Sequence, residues 1–119
     1  MIQKILDLHI HSKYSRACSR DLELPKIAEA CVRRGIDIVA TGDLTHPKWF
    51  EHIKECLVEV GGGIYELKKQ DTRNKQIINS KFLFGTELAC IKKHKGETRR
   101  LHLCFLMHAS SVPNKNCVH

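Results

Sequence analysis

Ile5-Leu6-Asp7-Leu8-His9-Ile10-His11-Ser12 is the stretch on which the fold turns. Together with Ile2 it forms a short apolar run that reads as a buried strand. Asp7, His9 and His11 alternate with the apolar positions at period two, which places all three on one face. Imidazoles and a carboxylate side by side at one strand end are ligand types for zinc, manganese or iron. The competing reading, histidines satisfied as polar residues at a strand terminus, weakens as more ligand types gather at the neighbouring strand ends.

Downstream, Pro25 to Arg34 reads as a helix. Proline suits its first turn, Ile27, Ala28, Cys31 and Val32 make an apolar stripe, and Gly35 stands where a left-handed C-terminal cap is wanted. Ile36 to Thr41 is a second, β-branched strand, most simply parallel to the first. It runs into Gly42-Asp43-Leu44-Thr45-His46-Pro47, which sets an aspartate and a histidine at the same sheet end as His9 and His11. Sites in α/β folds assemble at the C-terminal ends of parallel strands, although Asp43 could instead cap the helix that follows. That helix is predicted from Pro47 to Val60 on the spacing of Trp49, Phe50, Ile53, Leu57 and Val60, with Trp49 as core or pocket wall and Gly61-Gly62-Gly63 as its stop.

Residues 64–80 read as a polar and basic excursion with at most a short strand. Lys81 to Ile91 is a third strand, and within it Glu87 interrupts an apolar run, where an ionised carboxylate needs a cation or strong donors. A basic turn, Lys92 to Glu97, leads to a return strand, Thr98 to Met107, in an antiparallel hairpin that brings in His102.

The 119 residues suit one domain at most, and 20 basic against 13 acidic residues give a formal charge of +7. That charge fits a polyanionic partner such as DNA, or a surface that is merely solvated. Lys13 and Arg16, in the hydroxyl-rich loop Ser12 to Arg20, and Lys48 flank the ligand-bearing strand ends and are the candidate phosphate contacts. Six cysteines at least 13 residues apart contain no C-x-x-C, which excludes a zinc ribbon and a thioredoxin motif and suits a reducing, cytoplasmic setting. No apolar segment approaches the roughly 18 residues of a membrane helix or resembles a signal peptide, so the expectation is a soluble protein without a membrane partner.

Asp7-x-His9-x-His11-Ser12, Thr41-Gly42-Asp43 with His46, Gly85-x-Glu87 and His102-Leu103 resemble the successive motifs of the PHP (polymerase and histidinol phosphatase) metallohydrolases. The wording Asp7 to Ala17, Thr41-Gly-Asp-Leu-Thr-His-Pro-Lys-Trp-Phe50 and Gly85-Thr-Glu87 resembles the endonuclease Q branch more closely still. The resemblance implies a distorted, TIM-like (β/α) barrel of seven strands. It also implies two or three divalent ions (zinc, manganese or magnesium) and hydrolysis of DNA phosphodiester bonds beside deaminated or damaged bases. By similarity, His9 and His11 would bind one ion, and Glu87 would bridge it to a second ion held also by His102. Asp43 or His46 would belong to a third position or support it from behind, Asp7 would orient a ligand histidine, and Glu87 and Asp43 would be the catalytic carboxylates. Phosphomonoester hydrolysis of the histidinol phosphatase kind shares this metal face but not the Thr-Gly-Asp-x-Thr-His-Pro-Lys-Trp wording.

The resemblance covers residues 1–107, read as the N-terminal part of an incomplete barrel, since a barrel of this kind takes roughly 200 to 250 residues. Residues 108–119 read as a polar tail foreign to the family, so His108 and His119 are not assigned as ligands. Serine, arginine and alanine at 15–17 replace a further family ligand, and the later histidine and Asp-x-His motifs are absent. The alternative to a working nuclease is therefore an inactive remnant that binds metal or nucleic acid. The oligomeric state is not legible.

Overall fold

The computed structural model describes residues 1–68 and 78–107. The predicted foreign tail and the middle of the predicted excursion lie outside the described residues. Strand β1 (Leu6–Asp7) leads to helix α1 (Leu24–Arg34) and strand β2 (Ile38–Ala40); helix α2 (Pro47–Cys56) is followed by strands β3 (Leu57–Gly61), β4 (Ile64–Leu67), β5 (Lys81–His94) and β6 (Glu97–Met107). The chain is thus mixed α/β. These strands form one sheet in the order β1-β2-β5-β4-β3, with β6 pairing β5 beyond that path. The strand-helix-strand unit is parallel, with Leu6 opposite Ile38, and β2 is parallel to β5 with Val39 opposite Phe82.

The core lies between this sheet and the two helices. Leu24, Ile27, Ala28 and Cys31 of α1 and Trp49 and Ile53 of α2 pack with Val39, Phe82 and Phe84. Proline at the start of α1 and Gly35 at its end (φ 70°) act as the sequence predicts. Leu24 joins the buried stripe because the helix starts there. Trp49 is fully buried, and its indole N–H donates to the carbonyls of Thr41 (3.2 Å) and Gly42 (3.0 Å). A core residue of α2 thereby fixes the turn that carries Asp43.

Two local expectations are corrected. The sequence predicts a first strand buried from Ile2 to Ile10, but only Leu6 and Asp7 pair, and Ile2, Ile5, Leu6 and Leu8 are exposed. This strand is the sheet edge, and no described element covers its outer side, so the apolar run has nothing to pack against. The second helix, predicted to reach Val60, ends at Cys56. Leu57-Val58-Glu59-Val60 satisfies a period of two as well as the helical one, and the three glycines, all at positive φ, turn β3 back as a hairpin onto β4. Leu57 is buried in either arrangement, which is why the helical spacing is deceptive.

The β5–β6 hairpin is longer than predicted, with register from Phe84–Met107 to His94–Glu97. Its turn, Lys95-Gly96, has positive φ at both residues (49° and 77°), the conformation that matches the twist of a two-residue hairpin. Among the described residues no helix is long and apolar enough to cross a membrane.

Gly42 is the tightest point of the frame. It has φ 64°, and a Cβ there would lie 2.2 Å from the backbone oxygen of Ile10, so the turn after β2 rests directly on the chain between His9 and His11. Gly42→Ala should cost at least about 3 kcal/mol, combining the left-handed penalty of about 1–2 kcal/mol with displacement of backbone. Gly96→Ala, with φ 77° and open space around it, should cost only about 1–2 kcal/mol. Urea denaturation of the two variants checks this. Equal destabilisation would show that the Gly42–Ile10 approach does not limit the fold.

Candidate metal centre

The candidate ligands reach the site on three different supports. His9 and His11 sit just past β1, Asp43 sits just past β2, and Glu87 and His102 project from the same face of the β5–β6 hairpin. The register makes the last point: Glu87 is opposite Cys104 and Ala89 opposite His102, so His102 is the diagonal neighbour of Glu87.

Glu87 is the centre. Its Oε2 lies 2.9 Å from His9 Nε2 and 3.1 Å from His11 Nε2, and its Oε1 lies 2.5 Å from His102 Nδ1. The side chain is only 12% exposed, while the three imidazoles are 37–59% exposed. Hydrogen bonds from His9 and then His102 hold the Glu87 carboxyl below the usual glutamate range, against a smaller opposing effect of burial. Ligand atoms of His9, His11 and Glu87 all lie within 4.8 Å of one another, a group of the size that holds one metal ion.

The donor set fits a divalent ion. A tetrahedral ion with bonds of about 2.0–2.1 Å requires ligand-to-ligand edges of about 3.3 Å, and the two imidazole–carboxylate contacts are close to that spacing. Two nitrogens and one oxygen suit zinc or manganese.

Asp43 lies behind His11. Its Oδ2 accepts from the Ser12 backbone N–H (2.7 Å), the Ser12 hydroxyl (2.6 Å) and the Ser15 hydroxyl (2.8 Å), and its Oδ1 is 3.3 Å from His11 Nδ1. A proton on His11 Nδ1, directed to this carboxylate, would leave Nε2, which faces Glu87, as the ligand atom. Burial pushes the Asp43 carboxyl up, but the donors from Ser12, Ser15 and His11 together outweigh it, and the net shift is downward.

The sequence expects Asp7 to orient a ligand ring; among the described residues its carboxylate accepts from the backbone N–H of His9 (3.3 Å). Asp43 occupies that position instead. His46 stands apart from the triangle. It is the N-cap residue of α2, its ring stacks on Tyr14 (4.4 Å between centroids, 12° between planes), and its Nδ1 is buried without a hydrogen-bond partner. Of the three candidate basic residues for DNA, Lys13 is drawn aside to Glu23, while Arg16 and Lys48 are exposed with no ion pair among the described residues. Ser12 and Ser15 are site residues that the sequence alone does not single out. The hydroxyl-rich loop is a signal, but a hydroxyl a few residues past a motif does not reveal which carboxylate it will meet.

No protein family model matches the chain. An uncharacterized protein of Methanocaldococcus jannaschii is 42% identical to it over 50 residues, which are 42% of this chain and 6% of that protein. Two solved structures are similar: the lesion-specific endonuclease PfuEndoQ from Pyrococcus furiosus, and an endonuclease Q in complex with a 27-mer duplex carrying an abasic lesion at the active site. Each is 32% identical with a TM-score of 0.57, over 69% of this chain and 18% of the solved one. The chain therefore spans less than a fifth of the length of the endonucleases it matches, and its sheet and two helices are similar in fold to part of them.

The serine cluster gives a pH prediction. A carboxyl whose folded pKa lies below its unfolded value stabilises the fold at neutral pH, and that contribution is lost as pH falls from the usual aspartate value near 3.8 through the lower folded value. Ser15→Ala removes one donor while burial remains, so the Asp43 pKa should rise and the loss of stability should begin at higher pH. Titration of the side-chain carboxyl carbon by NMR reads this directly. An unmoved Asp43 titration in Ser12→Ala/Ser15→Ala would show that these donors do not hold the charge.

Proposed function

We propose that this chain supplies the N-terminal share of a divalent-metal site that hydrolyses DNA phosphodiester bonds at lesions, in the manner of endonuclease Q. The observation that carries the reading is the sharing of one carboxylate oxygen, Glu87 Oε2, by the Nε2 atoms of His9 and His11 at 2.9 and 3.1 Å. The likeness to structures of endonuclease Q, one of them holding damaged duplex DNA, supports DNA as the substrate. The PHP resemblance of the same residues supports metal dependence.

In this reading His9, His11 and Glu87 hold one ion, and Glu87 turns its second oxygen to His102, where a second ion would be shared. A divalent ion held there would supply positive charge and Lewis acidity at the scissile phosphate. Asp43, fixed by Ser12 and Ser15, keeps His11 in the tautomer that presents Nε2. Arg16 and Lys48 stand beyond the strand ends as exposed cations for phosphates, and Lys13 joins them on release from Glu23. The PHP resemblance supports reading residues 1–107 as the N-terminal part of an incomplete barrel that lacks the later ligand motifs of the family. By itself the chain then binds metal and DNA without turning substrate over, because the second ion would be loosely held and a reacting group displaced by about 1 Å can cost about 100-fold in rate.

Calorimetric titration with zinc or manganese tests the metal half of the proposal. One tight ion per chain is expected, weakened at least about tenfold by His11→Ala and by Glu87→Gln. Unchanged stoichiometry and affinity in His9→Ala/His11→Ala would sink it. Incubation of the metal-loaded chain with abasic or uracil-containing duplex tests the other half, and an intact duplex is expected. Nicking that Glu87→Gln abolishes would show that these residues already form a working nuclease.

A further inference from the structure

The β5–β6 hairpin continues well past the metal centre, and its charges are sorted by face. Side chains alternate along the two strands. The face that carries Glu87 and His102 therefore also carries Ala89, Ile91 and Lys93 from β5 and Thr98 and Arg100 from β6, by the register Ile91–Arg100 and Lys93–Thr98. Beyond Glu87 this face has two cations and no acid, and Lys95 adds a third cation at the turn. The one acid of the tip, Glu97, belongs to the opposite face, where it pairs with Arg99 at 2.8 Å. Lys93, Lys95 and Arg100 are exposed and have no ion pair among the described residues. Two exposed cations on the metal-bearing face and a third at the turn are thus open to anions from outside the chain.

Geometry says where those anions lie. At roughly 3.3 Å per residue, Arg100, level with Ile91, stands about 13 Å along the ribbon from Glu87, and Lys93 about 20 Å. Duplex DNA presents phosphates about every 3.4 Å per strand, so these positions correspond to about four and about six nucleotides. A two-stranded ribbon is also of a width that the DNA major groove, about 12 Å across, admits.

We propose that the hairpin is a DNA-gripping ribbon, with Arg100 and Lys93 contacting phosphates about four to six nucleotides to one side of the metal centre and Lys95, at the turn, reaching about two nucleotides further. The inference rests on the reading of DNA as the substrate. It adds to that reading a surface separate from Lys13, Arg16 and Lys48. The opposite face, with Lys92 and Arg99, takes no part.

The test is binding of the full chain to duplexes that extend by different lengths to either side of an abasic site, at several salt concentrations. For the wild type, affinity should rise as one flank grows to about eight base pairs and then level off. In Lys93→Ala/Lys95→Ala/Arg100→Ala that length dependence should vanish, and the salt slope should fall by about 0.9 for each phosphate no longer neutralised, about 2.7 in all. Lys92→Ala/Arg99→Ala controls for charge alone and should keep the length dependence. Absence of any duplex binding by the wild type would overturn the DNA reading itself. Binding by the wild type with the same slope and length dependence in the triple variant would overturn the ribbon's role and leave that reading standing. Equal weakening in the two variants would mean diffuse attraction, which overturns the face-specific role.

Discussion

One carboxylate holds the site together. Glu87 lies in a strand whose neighbours are apolar, and its side chain is largely withdrawn from water, so its charge must be met within reach. Three imidazoles meet it, from two different parts of the chain: His9 and His11 from the segment after β1, and His102 from the strand beside it. Each of the three imidazoles presents a ring nitrogen to that carboxylate, so its charge is met inside the cluster. The same donors are compatible with a divalent ion, since neutral imidazoles and an ionised carboxylate are the forms that metals take.

The frame serves this cluster by bringing loop segments close. β1 pairs over only two residues, too few to hold two histidines in place. The constraint comes from the side instead. Gly42 abuts the Ile10 carbonyl, Asp43 draws in Ser12, Ser15 and His11, and the buried Trp49 indole ties the carbonyls of Thr41 and Gly42 to α2. A buried helix residue thus controls, through one turn, where a ligand on another segment points. Thr41 adds a link to the hairpin, since its hydroxyl accepts from the Gly85 N–H at 3.3 Å, two residues before Glu87.

Much of this is legible in the sequence, for physical reasons that can be named. Pro25 and Gly35 mark helix ends because their backbone preferences are local, and Lys95-Gly96 marks a turn for the same reason. The ligand types are visible because an acid inside an apolar run and histidines at period two are costly without a purpose. What the sequence hides is pairing at a distance. Leu57 fits a helix and a strand equally well, and only the partner strand β4 decides between them. Ile5, Leu6 and Leu8 look like core residues, yet their burial depends on what covers an edge strand. Asp43 and Asp7 are both aspartates near strand ends, and nothing local tells which will stand behind His11.

The most direct measurement of the proposed Glu87-centred metal site is X-ray absorption spectroscopy of the zinc-loaded chain. The predicted result is a shell of imidazole nitrogens and carboxylate oxygen at about 2.0–2.2 Å with no sulfur, and loss of the imidazole signal in His9→Ala/His11→Ala. A zinc–sulfur distance of about 2.3 Å would place the ion on the cysteines, and imidazole scattering that survives in the double variant would place it on other histidines; either result would contradict a site built on Glu87.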